Sequence, residues 1–247
     1  MFDLELRNQL LTVPISHARI QLAQSPACIL DSLFGLAKFM VEPTIDVDLV
    51  FTSGVYLNNV SDNPARQRLS LLQREAEWRL GFEKIFRRIA HGDKNDVFCL
   101  DRSAFAFVSW DEQITSCWHE FDALYRHLHN SYESDASVRE TMDTHLRKYR
   151  KDPNENTLRF LFEEIAVTAL WLKGFTFSRK RLRGDQVMDR VHVVYPGHIS
   201  TGMLCGLELL LNGQKDVRQL VWINTSEPVA VAEIYHFETT TVARASR

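Results

Sequence analysis

Apolar residues along this chain come in two rhythms, short continuous runs and longer stretches at helical spacing, and the two alternate. The first run is Leu10, Leu11, Val13 and Ile15, too short to cross a membrane and long enough for one buried strand. It breaks into a polar turn holding Ser16, His17 and Arg19. Ser25-Pro26 then opens a helix in which Ile29, Leu30, Leu33, Phe34, Leu36, Ala37, Phe39 and Met40 recur at helical spacing, and Glu42-Pro43 stops it. Val47–Thr52 reads as a second strand, followed by Ser53-Gly54 and a polar loop. Strand, helix, strand is a βαβ unit, which makes the two strands parallel with a right-handed crossover.

The longest helical pattern runs from Pro64 to Ala90, with Asn63 or Asp62 as its N-cap. Leu69, Leu72, Ala76 and Leu80, then Phe82, Ile85, Phe86 and Ile89, are expected to form its buried stripe. The opposite face carries Arg66, Arg68, Arg74, Arg79, Lys84, Arg87 and Arg88 against Glu75, Glu77 and Glu83. Val97–Leu100 is expected as a third strand, and Asp111 to Tyr149 as helix with a break near Ser131–Ser134. Asn156 to Gly174 is apolar almost all round, so it belongs at the centre of the fold. Strands follow at Arg190–Tyr195, Val217–Ile223 and Val229–Phe237, with a helix around Met203–Leu211 between the first two. No internal repeat or low-complexity linker divides the chain. The expectation is one α/β domain over 1–247 built on a parallel sheet.

Composition adds little to the architecture and more to the function. With 45% hydrophobic and 25% charged residues the 247-residue chain is that of a folded protein. The four cysteines (Cys28, Cys99, Cys117, Cys205) show no C-x-x-C spacing, and Met1–Asn8 carries Asp3 and Glu5 rather than a signal-peptide pattern. Reduced thiols and a cytoplasmic location are expected. His127-x-His129 lacks the spacing of a metal site, and neither a P-loop nor G-x-G-x-x-G occurs, so no metal and no cofactor are expected. Net charge is −3, which gives no overall pull toward nucleic acid. Three local basic runs (Arg66–Arg88, Arg147–Lys151, Arg179–Arg183) nevertheless suit an anionic macromolecule.

Candidate chemistry sits in three places. Ser16 lies at the carboxyl end of a strand, where open parallel sheets gather their ligands. It also reads as an ordinary helix cap, and no G-x-S-x-G elbow surrounds it. Glu163 and Glu164 sit inside the apolar helix, where an ionised carboxylate must be exposed, paired or shifted in pKa. Being 100° apart on the helix, the two cannot share a face. Glu164, four after Phe160 and three before Val167, is the one expected on the interior stripe. Tyr195-Pro196-Gly197-His198 closes a later strand, where a tyrosine can donate a proton or simply anchor the turn.

The order of these parts resembles the tRNA-dependent cyclodipeptide synthases, whose Rossmann-like sheet flanked by helices is similar to the class I aminoacyl-tRNA synthetase catalytic domain. The resemblance runs through Ile15-Ser16, Asp46/Asp48-Leu49-Val50, the Arg-rich helix, Tyr132-Glu133-Ser134-Asp135-Ala136, Phe160-Leu161-Phe162-Glu163-Glu164 and Val194-Tyr195-Pro196. The family's glycine two before the serine is Pro14 here, and its asparagine three after is Arg19. The first tyrosine of Tyr-x-x-x-Glu is Phe160, and the histidine after the last tyrosine is Pro196. These departures resemble a divergent fungal branch that makes arginine-containing products.

The resemblance implies that Ser16 accepts an aminoacyl group from tRNA, that Glu164 handles the α-amine and that Tyr195 assists proton transfer. Pro14, Arg19, Phe160, Val167 and His198 would border the substrate, with Asp101 or Glu163 as partner for an arginyl side chain. Arg66, Arg74, Arg79, Lys84, Arg87 and Arg88 would hold tRNA. Two aminoacyl-tRNAs per cycle and no metal are implied; no membrane partner is expected, and a monomer is the expectation for an oligomeric state that the sequence does not fix. Two other readings stand beside this one: a serine hydrolase pairing Ser16 with His198, and a non-catalytic tRNA-binding domain.

Overall fold

The computed structural model describes residues 9–17, 24–37, 45–56, 63–91, 105–149, 151–173, 175, 190–196, 201–211, 219–223 and 232–236. The apolar runs become a six-stranded sheet. Its strands are β1 (Gln9–Ile15), β2 (Ile45–Phe51), β3 (Phe105–Ser109), β4 (Arg190–Pro196), β5 (Gln219–Ile223) and β6 (Ala232–His236), in the order β3-β2-β1-β4-β5-β6. β1 to β5 run parallel, as expected, and β6 joins antiparallel to β5 at the edge. An edge strand needs no crossover helix to reach its neighbour, which is why a short connection can reverse it. The order reverses between β1 and β4, the switch point at which such sheets open a crevice.

β1 and β2 are central, and Leu11, Val13, Ile15, Val47, Leu49, Val50 and Phe51 are all buried. Pro14 is buried too, in register with Val50, while the β4 pairing of β1 ends at Thr12 opposite Val193. A residue without an N–H is tolerated there, beyond the last pair on that side. The expected third strand, 97–100, lies outside the described residues. The strand that pairs with β2 is Phe105–Ser109.

The helices are α1 (Pro26–Ala37), the single turn α2 (Ser53–Tyr56), α3 (Pro64–His91), α4 (Trp110–Ser116), α5 (Trp118–Ser134), α6 (Ala136–Lys148), α7 (Glu155–Leu172) and α8 (Thr201–Leu211). Asn63 is the cap of α3, its Oδ1 accepting from the Arg66 amide at 3.0 Å. The stripe expected on α3 needs correction. Leu69, Leu72 and Leu80 are 68%, 50% and 62% exposed, Ala76 is exposed too, and the sheet-facing residues are Leu71, Glu75, Trp78, Phe82 and Phe86. Both sets recur at helical spacing. The aromatic set wins because each ring buries more area and meets Phe51, Phe105 and Phe107 across the sheet, as in the Phe82–Phe105 pair at 5.2 Å.

The single helix with one break expected after Asp111 is three helices. One break falls at Asp135, whose carboxylate accepts the Ser137 and Val138 amides, and the other at Cys117. Helix α7 is buried along its whole second half and packs against both α5 and α8. It is the centre of the second core, as its pattern predicted. Cys28, Cys117 and Cys205 are free thiols. Among the described residues no helix is long and apolar enough to cross a membrane.

Candidate active site

Strands β1 and β2 end level, Ile15 opposite Phe51. The residues after them therefore emerge together at the carboxyl edge of the sheet, beside the switch point. The Ile15 carbonyl accepts from both the amide and the hydroxyl of Thr52, each at 3.1 Å, which clamps the two strand ends. Ser16 follows directly. Its amide donates to Gln24 Oε1 at 2.5 Å, and Gln24 is fixed in turn by Trp78 Nε1 donating to its carbonyl at 2.7 Å. The Ser16 hydroxyl is half-buried and lies 2.7 Å from the hydroxyl of Tyr56.

His17 turns away from Ser16. Its Nε2 lies 2.8 Å from Ser53 Oγ, which donates to Glu75 Oε2 at 2.8 Å. Because the serine proton is spent on the carboxylate, His17 must be the donor, so Nε2 carries the hydrogen. Burial, reinforced by the charge of Arg74, lowers the His17 pKa to about 4, and the ring is neutral at physiological pH. Glu75 is buried and paired with Arg79, whose guanidinium lies over the Phe51 and Phe107 rings at 5.0 and 5.2 Å.

Helix α7 supplies the other wall. Phe160 meets the Tyr56 ring edge-on at 5.4 Å, and Lys151 Nζ lies 4.2 Å from the Phe160 ring centre. Burial lowers the Lys151 pKa, while the Glu164 carboxylate acts to raise it. Ser16, Tyr56, Phe160, Lys151 and Glu164 thus form one connected series of contacts and charges. The expected interior position of Glu164 needs correction: Glu163 is the buried carboxylate, 8% exposed, and Glu164 is half-buried. Tyr125 of α5 lies on the side of α7 that bears Glu163. Glu163 is neutralised there by Arg159 Nε at 3.1 Å, one turn back.

No family model and no curated protein matches the chain. Solved structures do. The chain is similar to a CDPS from Fluoribacter dumoffii at 13% identity and a TM-score of 0.52, over 81% of this chain and 82% of that one. It is also similar to a Mycobacterium tuberculosis protein described as demonstrating that cyclodipeptide synthetases are related to type I tRNA synthetases. That match has 12% identity and a TM-score of 0.50, over 78% and 74% of the two chains. The fold is the one these cyclodipeptide synthases share. The Rossmann-like α/β architecture expected from the sequence is the one observed.

On this fold Tyr195 is at the carboxyl end of β4, two residues beyond Val193, which pairs with Thr12 of β1. It therefore belongs to the same edge of the sheet as Ser16. Arg19, Asp101 and His198 lie outside the described residues. Val167 is buried in the α7 core. Arg66, Arg74, Lys84, Arg87 and Arg88 are exposed and fall within about 140° of the α3 circumference, counted at 100° per residue. Arg79 is not on that arc. It is committed to Glu75 and the sheet.

A cavity of about 640 Å³ opens beside α2 and α7. Trp110, Trp118 and Tyr125 line it together with Asp111, Asp122, Glu155, Glu163 and Arg159, so acidic groups outnumber basic ones four to one. It shares α2 with Tyr56, through Gly54, and α7 with Phe160 and Glu164. Among the described residues no group of His, Cys, Asp and Glu could hold a metal. Sequence reasoning missed Tyr56 and the His17–Ser53–Glu75 chain. The signal available was the equal reach of the first two strands, which brings the residues after each one together.

Proposed function

We propose that this chain is a tRNA-dependent cyclodipeptide synthase, acting as one catalytic domain in the cytoplasm. The observation that carries the reading is a half-buried serine hydroxyl at the switch point of this sheet, bonded to a tyrosine that packs on a helix bearing a half-buried carboxylate. Ser16 Oγ attacks the ester carbon of an aminoacyl-tRNA and the ribose hydroxyl leaves. The ester is already activated, so neither ATP nor a His–Asp pair is required. Glu164 takes a proton from the α-amine of the Ser16-bound residue, and that amine attacks a second aminoacyl-tRNA to give a dipeptidyl enzyme. Tyr195 assists as the new amine closes the six-membered ring and frees Ser16. The exposed arginines of α3 attract the tRNA backbone.

The product is proposed to contain arginine. The cavity beside the site supports this: a guanidinium is costly to bury unpaired and favours carboxylates and aromatic faces together. Glu163 is the partner we assign, and Asp101 is the alternative read from the sequence. The hydrolase reading lacks comparable support. Among the described residues the Ser16 hydroxyl meets a tyrosine, and the neighbouring His17 points to Ser53.

The test is expression in a bacterial host with mass spectrometry of the medium. Wild-type protein yields a diketopiperazine absent from Ser16→Ala cultures, with arginine in it. Well-expressed wild-type protein that releases no new cyclic dipeptide overturns the reading.

A further inference from the structure

Tyr56 has no role in the reaction as set out above, yet it is the residue that touches the reacting oxygen. Its hydroxyl is 2.7 Å from Ser16 Oγ, short enough for a good O–H···O bond. It is also held with unusual care for a residue on a single helical turn. Its amide donates to the Thr52 carbonyl at 3.4 Å, and its carbonyl accepts from Gln67 Nε2 of α3 at 3.0 Å. Its ring is gripped edge-on between His17 at 5.9 Å and Phe160 at 5.4 Å. Such bracing fixes the phenol oxygen to within the tolerance that proton transfer needs.

Among the described residues no other group is seen to bond the Ser16 hydroxyl. His17 Nε2 is engaged by Ser53, its Nδ1 is buried without a partner, and Phe160 has no hydroxyl. A neutral phenol, by contrast, can accept one hydrogen bond while donating its own proton.

We propose that Tyr56 is a catalytic residue, the proton relay of Ser16, a role that rests on the aminoacyl-transfer reading of this site. As Ser16 Oγ bonds to the ester carbon, its proton passes to the Tyr56 oxygen. The phenol proton passes to the ribose oxygen as the carbon–ribose bond breaks. One bond forms, one breaks, and Tyr56 ends neutral. The same path run backwards returns a proton to Ser16 Oγ when the ring closes and the serine leaves.

The experiment follows label from a radioactive aminoacyl-tRNA onto the protein in single-turnover quench reactions, comparing wild type, Ser16→Ala, Tyr56→Phe and a chain with 3-fluorotyrosine at position 56. Wild type takes up label and Ser16→Ala does not. Tyr56→Phe takes it up at least ~100-fold more slowly, the scale of lost general acid–base assistance, with tRNA affinity and melting temperature unchanged. The more acidic fluorinated phenol moves the alkaline limb of the pH–rate profile to lower pH, an effect that a purely structural tyrosine does not produce. If wild type takes up no label, the reading of the site falls and the relay with it. If wild type is labelled, equal labelling of Tyr56→Phe removes the relay alone. Should Tyr56→Phe fold poorly, an unmoved pH profile in the fluorinated protein overturns it.

Discussion

Ser53 is the hinge of the polar chain under the candidate nucleophile, and replacing it by alanine should be felt twice. The Oγ atom accepts from His17 Nε2 at 2.8 Å and donates to Glu75 Oε2 at 2.8 Å. In Ser53→Ala the buried His17 N–H has no acceptor, and its other nitrogen already has no partner. Leaving such a donor unpaired costs about 1–3 kcal/mol. Glu75 loses a bond to a charged acceptor but keeps Arg79, so the total should reach about 2–4 kcal/mol. In a His17→Phe background the first cost is gone, because the donor is gone. Ser53→Ala there should cost only about 1–2 kcal/mol, and the cycle should show a coupling of roughly 1–2 kcal/mol between the two positions. Urea unfolding of the four proteins at pH 7.5 measures it. Additivity within 0.5 kcal/mol would refute the assignment of His17 Nε2 as the donor, and with it the tautomer.

Acid should weaken the fold through two histidines. Burial first, then nearby cationic side chains, lowers His17 and His145 to about 4. The folded state holds both neutral, while the unfolded chain protonates them near pH 6.5. Their stabilising contribution is complete above that value and is lost as pH falls toward 4, about 2 kcal/mol at pH 5 for the buried His17 and less for the partly exposed His145. Urea melts of wild type, His17→Gln and His145→Gln at pH 7.5 and pH 5 check the sign: each variant should lose less stability on acidification than wild type. Gly202→Ala should destabilise by about 1–3 kcal/mol through overpacking. The added carbon would meet His145 Cβ and Cγ at 2.7 Å, and Cβ is fixed to the α6 backbone. Denaturant midpoints test this, and an unchanged midpoint counts against the close α6–α8 approach.

What the sequence disclosed and what it withheld divide along sequence distance. Leu10 to Ile15 and Val47 to Phe51 are continuous apolar runs, and a run of that length has few structures open to it. The place of Ser16 at a strand end followed from the same local pattern. The buried face of α3 is legible only in part: Phe82 and Phe86 are read correctly from their spacing, whereas Leu69, Leu72, Ala76 and Leu80 match a helical stripe as well as Leu71 and Trp78 do. The choice is made by Phe51, Phe105 and Phe107, which are remote in sequence. Glu163 and Glu164 present the same difficulty. Which carboxylate is buried depends on what packs on α7, and Tyr125 of α5, remote in sequence, lies on the Glu163 side. Tyr56 gives no local signal at all: it sits on one helical turn in a polar stretch, and its partner is 40 residues away. Only the level ending of β1 and β2 joins them.

The chemistry that this edge of the sheet can support follows from what surrounds the serine. Cleaving an amide calls for a strong general base on the nucleophile, because the leaving amine is poor. Among the described residues the neighbouring imidazole, His17, is kept neutral and gives its Nε2 hydrogen to Ser53 rather than meeting the Ser16 hydroxyl. The serine hydroxyl meets a phenol instead, a partner that moves a proton without holding a charge. Such a pair suits an ester whose alcohol leaves readily and gains nothing against a stable amide. The Lys151 ammonium lies over the Phe160 ring and feels the charge of the Glu164 carboxylate, the group proposed to handle an α-amine. On the proposed reading the substrate arrives activated and carries a free amine, the two properties of an aminoacyl ester of tRNA.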